Sequence, residues 1–169
     1  MSTEPPRRPA SEREAAALAS SLRLRIIRLT ITEPMTNREL ASALGRDPAT
    51  TLHHVRKLLD AGFLEALPVR RGARGAREIP YRGTGLSWSL DMARYRDTVN
   101  PASLEAFLAE LADVGIASAQ ITRLLLRLPQ EELEEFESRL KELVDEFAAR
   151  PRHPEGQAVS LFFARYRSG

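Results

Sequence analysis

Between Thr36 and Gly62, residues that begin helices and residues that end them follow one another at short spacing. Thr36 and Glu39 form a capping box, in which each side chain satisfies a free backbone amide of the first helical turn. Gly45 ends this short helix, since glycine readily adopts the left-handed conformation found after helix C-termini. The pattern predicts two helices joined by a tight turn.

The second of these helices begins with Asp47 as N-cap and Pro48 as its first residue, and it continues to Gly62 without a breaker. Its helical spacing predicts an inward stripe of Thr51, Val55 and Leu58. The opposite side then presents Ala49, Thr50, His53, Arg56 and Lys57. Leu52 fits neither side well. Short polar residues near the N-terminal end and cations further along are the division that a DNA-reading helix needs.

A helix precedes this pair and a hairpin follows it. Leu22, Ile26 and Leu29 recur at helical spacing until Pro34 ends the pattern. Residues 63–69 and 79–82 are rich in β-favouring side chains and predict two strands. The glycine-containing loop between these strands carries Arg70, Arg71, Arg74 and Arg77. Such a basic hairpin is suited to following a duplex backbone or entering the minor groove.

The charges divide along the chain, although the net charge is only +2. Residues 21–96 contain 14 Lys and Arg against 7 Asp and Glu, whereas residues 97–169 contain 8 against 13. A basic half joined to an acidic half is typical of a polyanion-binding domain fused to a domain with a different function.

The remaining segments predict the domain limits. Residues 1–10 are proline-rich and predict a mobile tail, and residues 11–19 favour a helix. Residues 83–98 are interpreted as a linker, and Asn100 with Pro101 predicts the start of a helix that runs to about Gly115. We therefore predict a tail (residues 1–10), a DNA-binding domain with its linker (11–96) and a C-terminal domain (97–169).

The C-terminal half is predicted to be a small α/β domain for dimerisation or effector binding. Helical and strand interpretations compete over residues 120–128, but Arg123 and Arg127 alternate with Leu125, which favours a strand. Residues 158–166 predict a closing strand. Residues 131–150 predict an amphipathic helix, whose stripe in the core or dimer interface is Leu133, Phe136, Leu140, Leu143 and Phe147.

Several functional classes find little support in the sequence. The chain has no cysteine, which excludes disulfides and thiolate metal sites. Neighbouring His53 and His54 point about 100° apart on a helix and cannot both bind one metal ion. We find no motif for a nucleophile, a phosphate loop or a zinc protease, so we expect neither an enzyme nor a cofactor. Without a long apolar run or a signal peptide, we expect no membrane association and a cytoplasmic location.

At this point the residues resemble a known family. The run 22–27, the Glu-Leu-Ala of residues 39–41, and residues 48–58 and 61–64 are similar to the ArsR-like (arsenic-repressor-type) winged helix-turn-helix regulators of bacteria. The predicted elements indicate an α+β protein, and the resemblance implies that its N-terminal part is a winged helix-turn-helix domain. It also implies dimeric operator binding, with base contacts from Ala49, Thr50, Leu52 and His53. The cysteine-containing box of the metal-sensing members is absent.

The predicted function is therefore a sequence-specific DNA-binding regulator, a repressor that binds a palindromic operator as a homodimer. Its expected partners are double-stranded DNA, a second copy and a small-molecule effector of unknown identity. Expected contacts to the DNA backbone come from the wing arginines and from Thr36, Arg38 and Arg46. The alternative is a winged-helix scaffold whose basic face binds an acidic protein. Dimerisation through residues 11–32 is a second open alternative to the C-terminal half.

Overall fold

The structure is a computed structural model that describes residues 7–72, 75–151, 153 and 155–167. The chain divides into two compact units. The N-terminal unit is Arg7–Ala117, and the C-terminal unit contains the described residues from Ser118 onward. Within the described part of the chain, no helix combines the length and the apolar character needed to cross a membrane.

The N-terminal unit contains five α-helices and seven short strands among its described residues. The helices are α1 (Glu12–Leu18), α2 (Ser21–Thr32), α3 (Asn37–Ala43), α4 (Pro48–Asp60) and α5 (Arg96–Val114). The strands are β1 (Arg8–Pro9), β2 (Met35–Thr36), β3 (Leu64–Ala66), β4 (Arg70–Arg71), β5 (Arg77–Glu78), β6 (Pro80–Gly83) and β7 (Leu90–Asp91).

The predicted pair of helices, α3 and α4, is confirmed. The Thr36 hydroxyl accepts from the Glu39 amide at 3.2 Å, and the Glu39 carboxylate accepts from the Thr36 amide at 2.7 Å. The turn passes through Gly45 with φ of 59°, in the left-handed region. The Asp47 carboxylate then caps α4 by accepting from the amides of Ala49 and Thr50.

A small antiparallel sheet and a hairpin complete the winged arrangement. The sheet has the strand order β2-β6-β3, in which Glu65 pairs with Arg82 and Met35 with Tyr81. The predicted strands after α4 are thus confirmed, though they are shorter than expected. Beyond the sheet, β4 and β5 pair separately to extend the hairpin. We call residues 70–78, which comprise these two strands and the tip, the wing.

The core of the N-terminal unit lies between α2, α3, α4 and the sheet. Its most deeply buried apolar side chains are Ile26, Leu40, Val55, Leu58 and Phe63. α5 also packs against α2, to which it is joined by ion pairs from Arg25 to Asp113 and from Arg28 Nε to Glu110 Oε2 at 3.0 Å. α5 is therefore part of the winged-helix unit, and the division of the chain lies after Ala117, about twenty residues later than the predicted limit.

Two further expectations for this unit are corrected. The predicted linker, residues 83–98, contains β7, two 3-10 helices and the first residues of α5. α5 starts at Arg96 rather than at Asn100. The predicted tail is ordered from β1 onward, because β1 pairs in parallel with β7; residues 1–6 of that tail lie outside the described residues. The helix predicted over residues 11–19 is confirmed as α1.

The C-terminal unit is built on one helix, α6 (Gln130–Ala149), as predicted. On its apolar stripe, Leu133 and Leu140 are half-buried, whereas Phe136, Leu143 and Phe147 are exposed. In the described part of the chain, residues 120–128 and 158–166 form no strand, so both strand predictions are wrong. A strand needs a neighbouring strand for its backbone groups, and the described residues form none beside either segment. The predicted α+β class is confirmed for the whole chain, with a helical C-terminal half.

Candidate nucleic-acid interface

The N-terminal end of α4 is held in place by polar contacts from both sides. Besides the Asp47 cap, Asn37 at the start of α3 donates from its Nδ2 to the Pro48 carbonyl at 2.9 Å. The Thr51 hydroxyl donates to the Asp47 carbonyl at 2.9 Å. The Asn37 bond joins the first turn of α4 to α3, and the bonds to Asp47 stabilise that turn from within, as a site that must present side chains at a defined angle requires.

α4 divides into a buried and an exposed side as the sequence predicts. Thr51, Val55 and Leu58 are fully buried against the unit's core. The exposed residues of the helix include all five of the predicted polar side, Ala49, Thr50, His53, Arg56 and Lys57. Leu52 is half-buried, so only part of its side chain is accessible beside them. We call these six residues the α4 face.

A buried arginine supports this face from behind. Arg23 of α2 donates from Nε and Nη2 to the carbonyls of Ala17 and Ala16, at 2.5 and 2.7 Å. Its Nη1 lies 3.5 Å from Nδ1 of His54 on α4. Arg23 therefore joins the last turn of α1 to α2 and to α4.

Desolvation and the charge of Arg23 both lower the pKa of His54. Burial lowers the pKa of the His54 imidazole, and the charges of Arg23, His53 and Lys57 lower this pKa further. A neutral imidazole can accept a hydrogen bond from a guanidinium, and a protonated one cannot. Burial also lowers the pKa of Arg23 itself. In the sequence, Arg23 is marked only by its position as an arginine within the apolar pattern of α2.

The wing arginines fall into different environments. Arg70 donates from Nη2 to Glu39 Oε1 at 2.5 Å and lies 3.7 Å from Glu78 Oε2, so its charge is matched inside the unit. Arg71 and Arg77 face each other across the hairpin and are exposed. Arg74 lies outside the described residues. Of the described wing arginines, Arg71 and Arg77 are thus better placed than Arg70 for an external partner.

The three residues expected at the DNA backbone also differ. Arg38 on α3 and Arg46 in the turn are exposed. Thr36 is buried, and its hydroxyl caps α3. This capping role accounts for Thr36, so we do not include Thr36 in the proposed DNA-binding surface.

The two neighbouring histidines of α4 are not part of a metal site among the described residues. His53 and His54 have ring centroids 5.7 Å apart at 76°, an edge-to-face arrangement. No group of three or more His, Asp or Glu side chains in the described ranges is placed to hold a metal ion. The α4 face and the exposed part of the wing therefore form the candidate interface.

Comparison with known families agrees with this geometry. Residues 18–65 match the helix-turn-helix domain family, a segment that runs from the end of α1 into β3. This match agrees with the helix pair α3 and α4 of the structure and with the helix-turn-helix part of the predicted resemblance. No curated protein matches the chain significantly.

Solved structures with weak similarity include three bacterial proteins. A homodimeric winged helix-turn-helix DNA-binding domain of a possible ArsR-family regulator from Mycobacterium bovis is 22% identical, with a TM-score of 0.36, and the match covers 66% of this chain and 85% of that one. ZitR from Lactococcus lactis is 19% identical, with a TM-score of 0.34 and coverage of 78% and 86%. RV1404 from Mycobacterium tuberculosis is 21% identical, with a TM-score of 0.35 and coverage of 83% and 84%. Scores this low establish no shared fold, so the winged arrangement rests on this chain's own helices and strands.

Proposed function

We propose that this protein is a sequence-specific DNA-binding regulator of transcription, in which α4 reads bases in the major groove. The observation that carries the proposal is the α4 face: a capped helix with exposed Thr50 and His53 near its N-terminal end and exposed Arg56 and Lys57 one turn further. Thr and His side chains bond to base edges, while cations bind phosphates. The match to the helix-turn-helix family supports this use of the helix.

The wing extends the same surface. The ion pair between Arg70 and Glu39 holds the hairpin beside α3. Arg71 and Arg77 are exposed and take no part in the ion pairs of Arg70 with Glu39 and Glu78. We propose that they contact the phosphate backbone or the walls of the adjacent groove. Arg38 and Arg46 add backbone contacts on the α3 side.

We further propose that the regulator acts as a homodimer on a palindromic operator and represses transcription. One such helix contacts only a few base pairs, whereas two helices about 34–36 Å apart read two half-sites together. A dimer covering an operator excludes other proteins from that DNA, which makes repression the simplest consequence. This is a binding role rather than a catalytic one. The small-molecule effector stays a prediction.

Selection of bound fragments from random-sequence duplexes tests the proposal. We expect enrichment of one motif with two-fold symmetry, and binding that weakens steeply as salt rises. The competing function, a basic scaffold for an acidic protein, shares the salt dependence but gives no sequence preference. Recovery of fragments without a common motif would therefore reject the DNA-reading function.

A further inference from the structure

An open cleft lies within the N-terminal unit, and no described residue of α4 or of the wing lines it. Its volume is about 390 Å³, within the range of about 300–1,000 Å³ that small-molecule sites occupy. Its walls come from the end of α1, from α2, from the segment around β7 and from the first turns of α5. The cleft therefore has the size of a ligand site and is lined by residues other than those of the candidate interface.

The lining of this cleft combines buried apolar side chains with exposed polar ones. Leu18, Leu90 and Val99 are buried. On α5, Arg96, Val99 and Asn100 follow one another at spacings of three and four residues, which places them on one face of the helix. Arg96 and Asn100 are exposed. Apolar walls with a few polar groups are typical of sites for small organic molecules.

The charges of the lining favour an anion. Arg7 and Arg96 are exposed, and the guanidinium carbon of Arg7 lies 4.4 Å from the centre of the Trp88 ring. Among the described lining residues the one acid is Asp91, whose carboxylate accepts from the Ala93 amide at 2.8 Å. Two guanidinium groups against one carboxylate give the lining a positive charge, and guanidinium groups bind carboxylates with well-matched geometry.

Two lining residues are covalent neighbours of the groups that support α4. Leu18 directly follows Ala17, whose carbonyl accepts from Arg23. Leu24 directly follows Arg23 itself. Arg23 Nη1 in turn lies 3.5 Å from Nδ1 of His54 on α4. A ligand that displaces Leu18 or Leu24 therefore disturbs the contact between Arg23 and α4.

We propose that this cleft is the effector site of the regulator, that it binds a small amphipathic anion with an apolar body and one carboxylate, and that binding weakens the grip of α4 on DNA. The effector role rests on the proposed function, whereas the binding of such an anion does not. The proposal goes further than that function by naming the site, the chemical class of the ligand and the contact through which it acts.

Titration of the full-length protein without DNA tests the site. The probes are benzoate, octanoate and 2-naphthoate, each compared with its neutral amide. Trp88 is the chain's only tryptophan and neighbours the lining residue Ser87, so its indole N–H gives one assignable NMR resonance beside the cleft. We expect at least one carboxylate to shift this resonance and the backbone amides of the lining along one saturable curve. Its neutral amide should bind roughly tenfold more weakly, as for the loss of a hydrogen bond between charged groups.

Absence of saturable shifts at the lining with all three carboxylates would overturn the proposal, and a cleft already filled by another part of the chain would give this result. Shifts confined to residues outside the lining would overturn it as well.

A pair of matched variants tests the role of charge. Arg96→Gln removes a guanidinium from the cleft, whereas Arg94→Gln removes one from an exposed position that does not line it. Arg96→Gln should bind the carboxylate about as weakly as the parent binds the neutral amide, and Arg94→Gln should bind it like the parent. Circular dichroism should be unchanged in both. An equal loss in the two variants would show that general charge attracts the anion, which would overturn the assignment of the cleft.

Regulation is measured on the operator selected from random-sequence duplexes. A saturating concentration of the bound carboxylate should weaken operator binding by about fivefold or more, and operator DNA should weaken carboxylate binding by the same factor. Unchanged operator affinity with a saturated cleft would overturn the effector role. The titrations of the cleft involve no DNA, so saturable carboxylate binding by a protein that selects no DNA motif would reject the proposed function and leave the binding site standing.

Discussion

At the scale of single residues, Arg23 of α2 is a buried side chain that contacts both α1 and α4. Its guanidinium is buried, yet it donates to two carbonyls at the C-terminal end of α1, where the helix dipole favours a cation. The remaining side of the guanidinium faces His54. One buried charge thus connects three helices.

Replacing Arg23 by methionine should destabilise the protein. The methionine fills similar space but leaves the carbonyls of Ala16 and Ala17 without this donor, and an unsatisfied buried group costs about 1–3 kcal/mol. We expect a fall of that order in the free energy of unfolding, measured by denaturant titration. Arg38→Met, on the exposed side of α3, is the matched control and should change stability by less than about 0.5 kcal/mol. Equal effects of the two substitutions would contradict the role of Arg23.

The lowered pKa of His54 predicts a pH dependence of stability. Because the folded protein favours the neutral imidazole, the unfolded chain binds more protons in the window below the ordinary histidine pKa of about 6.5. The stabilising contribution is therefore fully present above about pH 6.5 and is lost as pH falls through the lower pKa of the folded state.

Denaturant titrations between about pH 7 and pH 5 measure this effect. His54→Gln retains a hydrogen-bonding side chain that does not titrate, so the variant should lose less stability than the parent over this range. A parallel decline in both proteins would show that His54 is not responsible.

At the scale of elements, α4 and the wing should make separable contributions to binding. Thr50→Ala with His53→Ala should weaken binding to the selected operator more than binding to random DNA, since good base contacts discriminate by about 1–3 kcal/mol. Arg71→Ala with Arg77→Ala should weaken both by similar factors and reduce the salt slope by up to about 2. Fluorescence anisotropy at several salt concentrations measures the affinity of each variant for the operator and for random DNA, together with the salt slope. If the α4 pair weakens random DNA equally, α4 is not the reading helix.

Glu39 connects the wing to the helix pair and gives a second test at this scale. Hydrogen bonds from Thr36 and the charge of Arg70 lower the pKa of the Glu39 carboxyl. Glu39→Ala removes both the cap and the wing contact and should cost about 0.5–2 kcal/mol. Glu39→Gln keeps an acceptor for the Thr36 amide and should cost less. Thermal or denaturant unfolding of the two variants compares them, and an equal loss would mean that the cap contributes nothing measurable.

Sequence reasoning succeeded where signals are local. The caps at Thr36 and Asp47, the glycine at position 45 and the stripe of α4 are each read within a few residues, and all appear in the structure. It failed where a partner lies far along the chain. The pairing of β1 with β7 and the burial of Arg23 depend on contacts that spacing does not reveal.

The errors in the C-terminal half have the same cause. The alternation in residues 120–128 is a pattern suited to a strand, but a pattern cannot state whether a neighbouring strand is present to pair with it. Likewise, the four wing arginines look equivalent in sequence, and only the positions of Glu39 and Glu78 separate Arg70 from the described others.

At the scale of the whole molecule, a homodimer on a palindrome predicts sensitivity to half-site spacing. Inserting about 5 base pairs between half-sites turns one half-site to the opposite side of the duplex, so affinity should fall towards that of a single half-site. Inserting about 10 base pairs returns both half-sites to the same side of the duplex and should recover part of the affinity. Gel-shift titrations with the three duplexes measure this, and equal affinity for all three would argue against two linked reading helices.

The parallel pair of β1 and β7 also bears on the order in which the protein is made. Arg8 pairs with Leu90, so about 80 residues must leave the ribosome after the first strand before its neighbour exists. At about 5–20 residues per second, that interval lasts on the order of 4–16 seconds. During that interval, the residues through which α2, α3 and α4 contact one another have nearly all been synthesised. We therefore expect the helix pair to fold first on the nascent chain, and the first strand to dock only after residues 90–91 emerge.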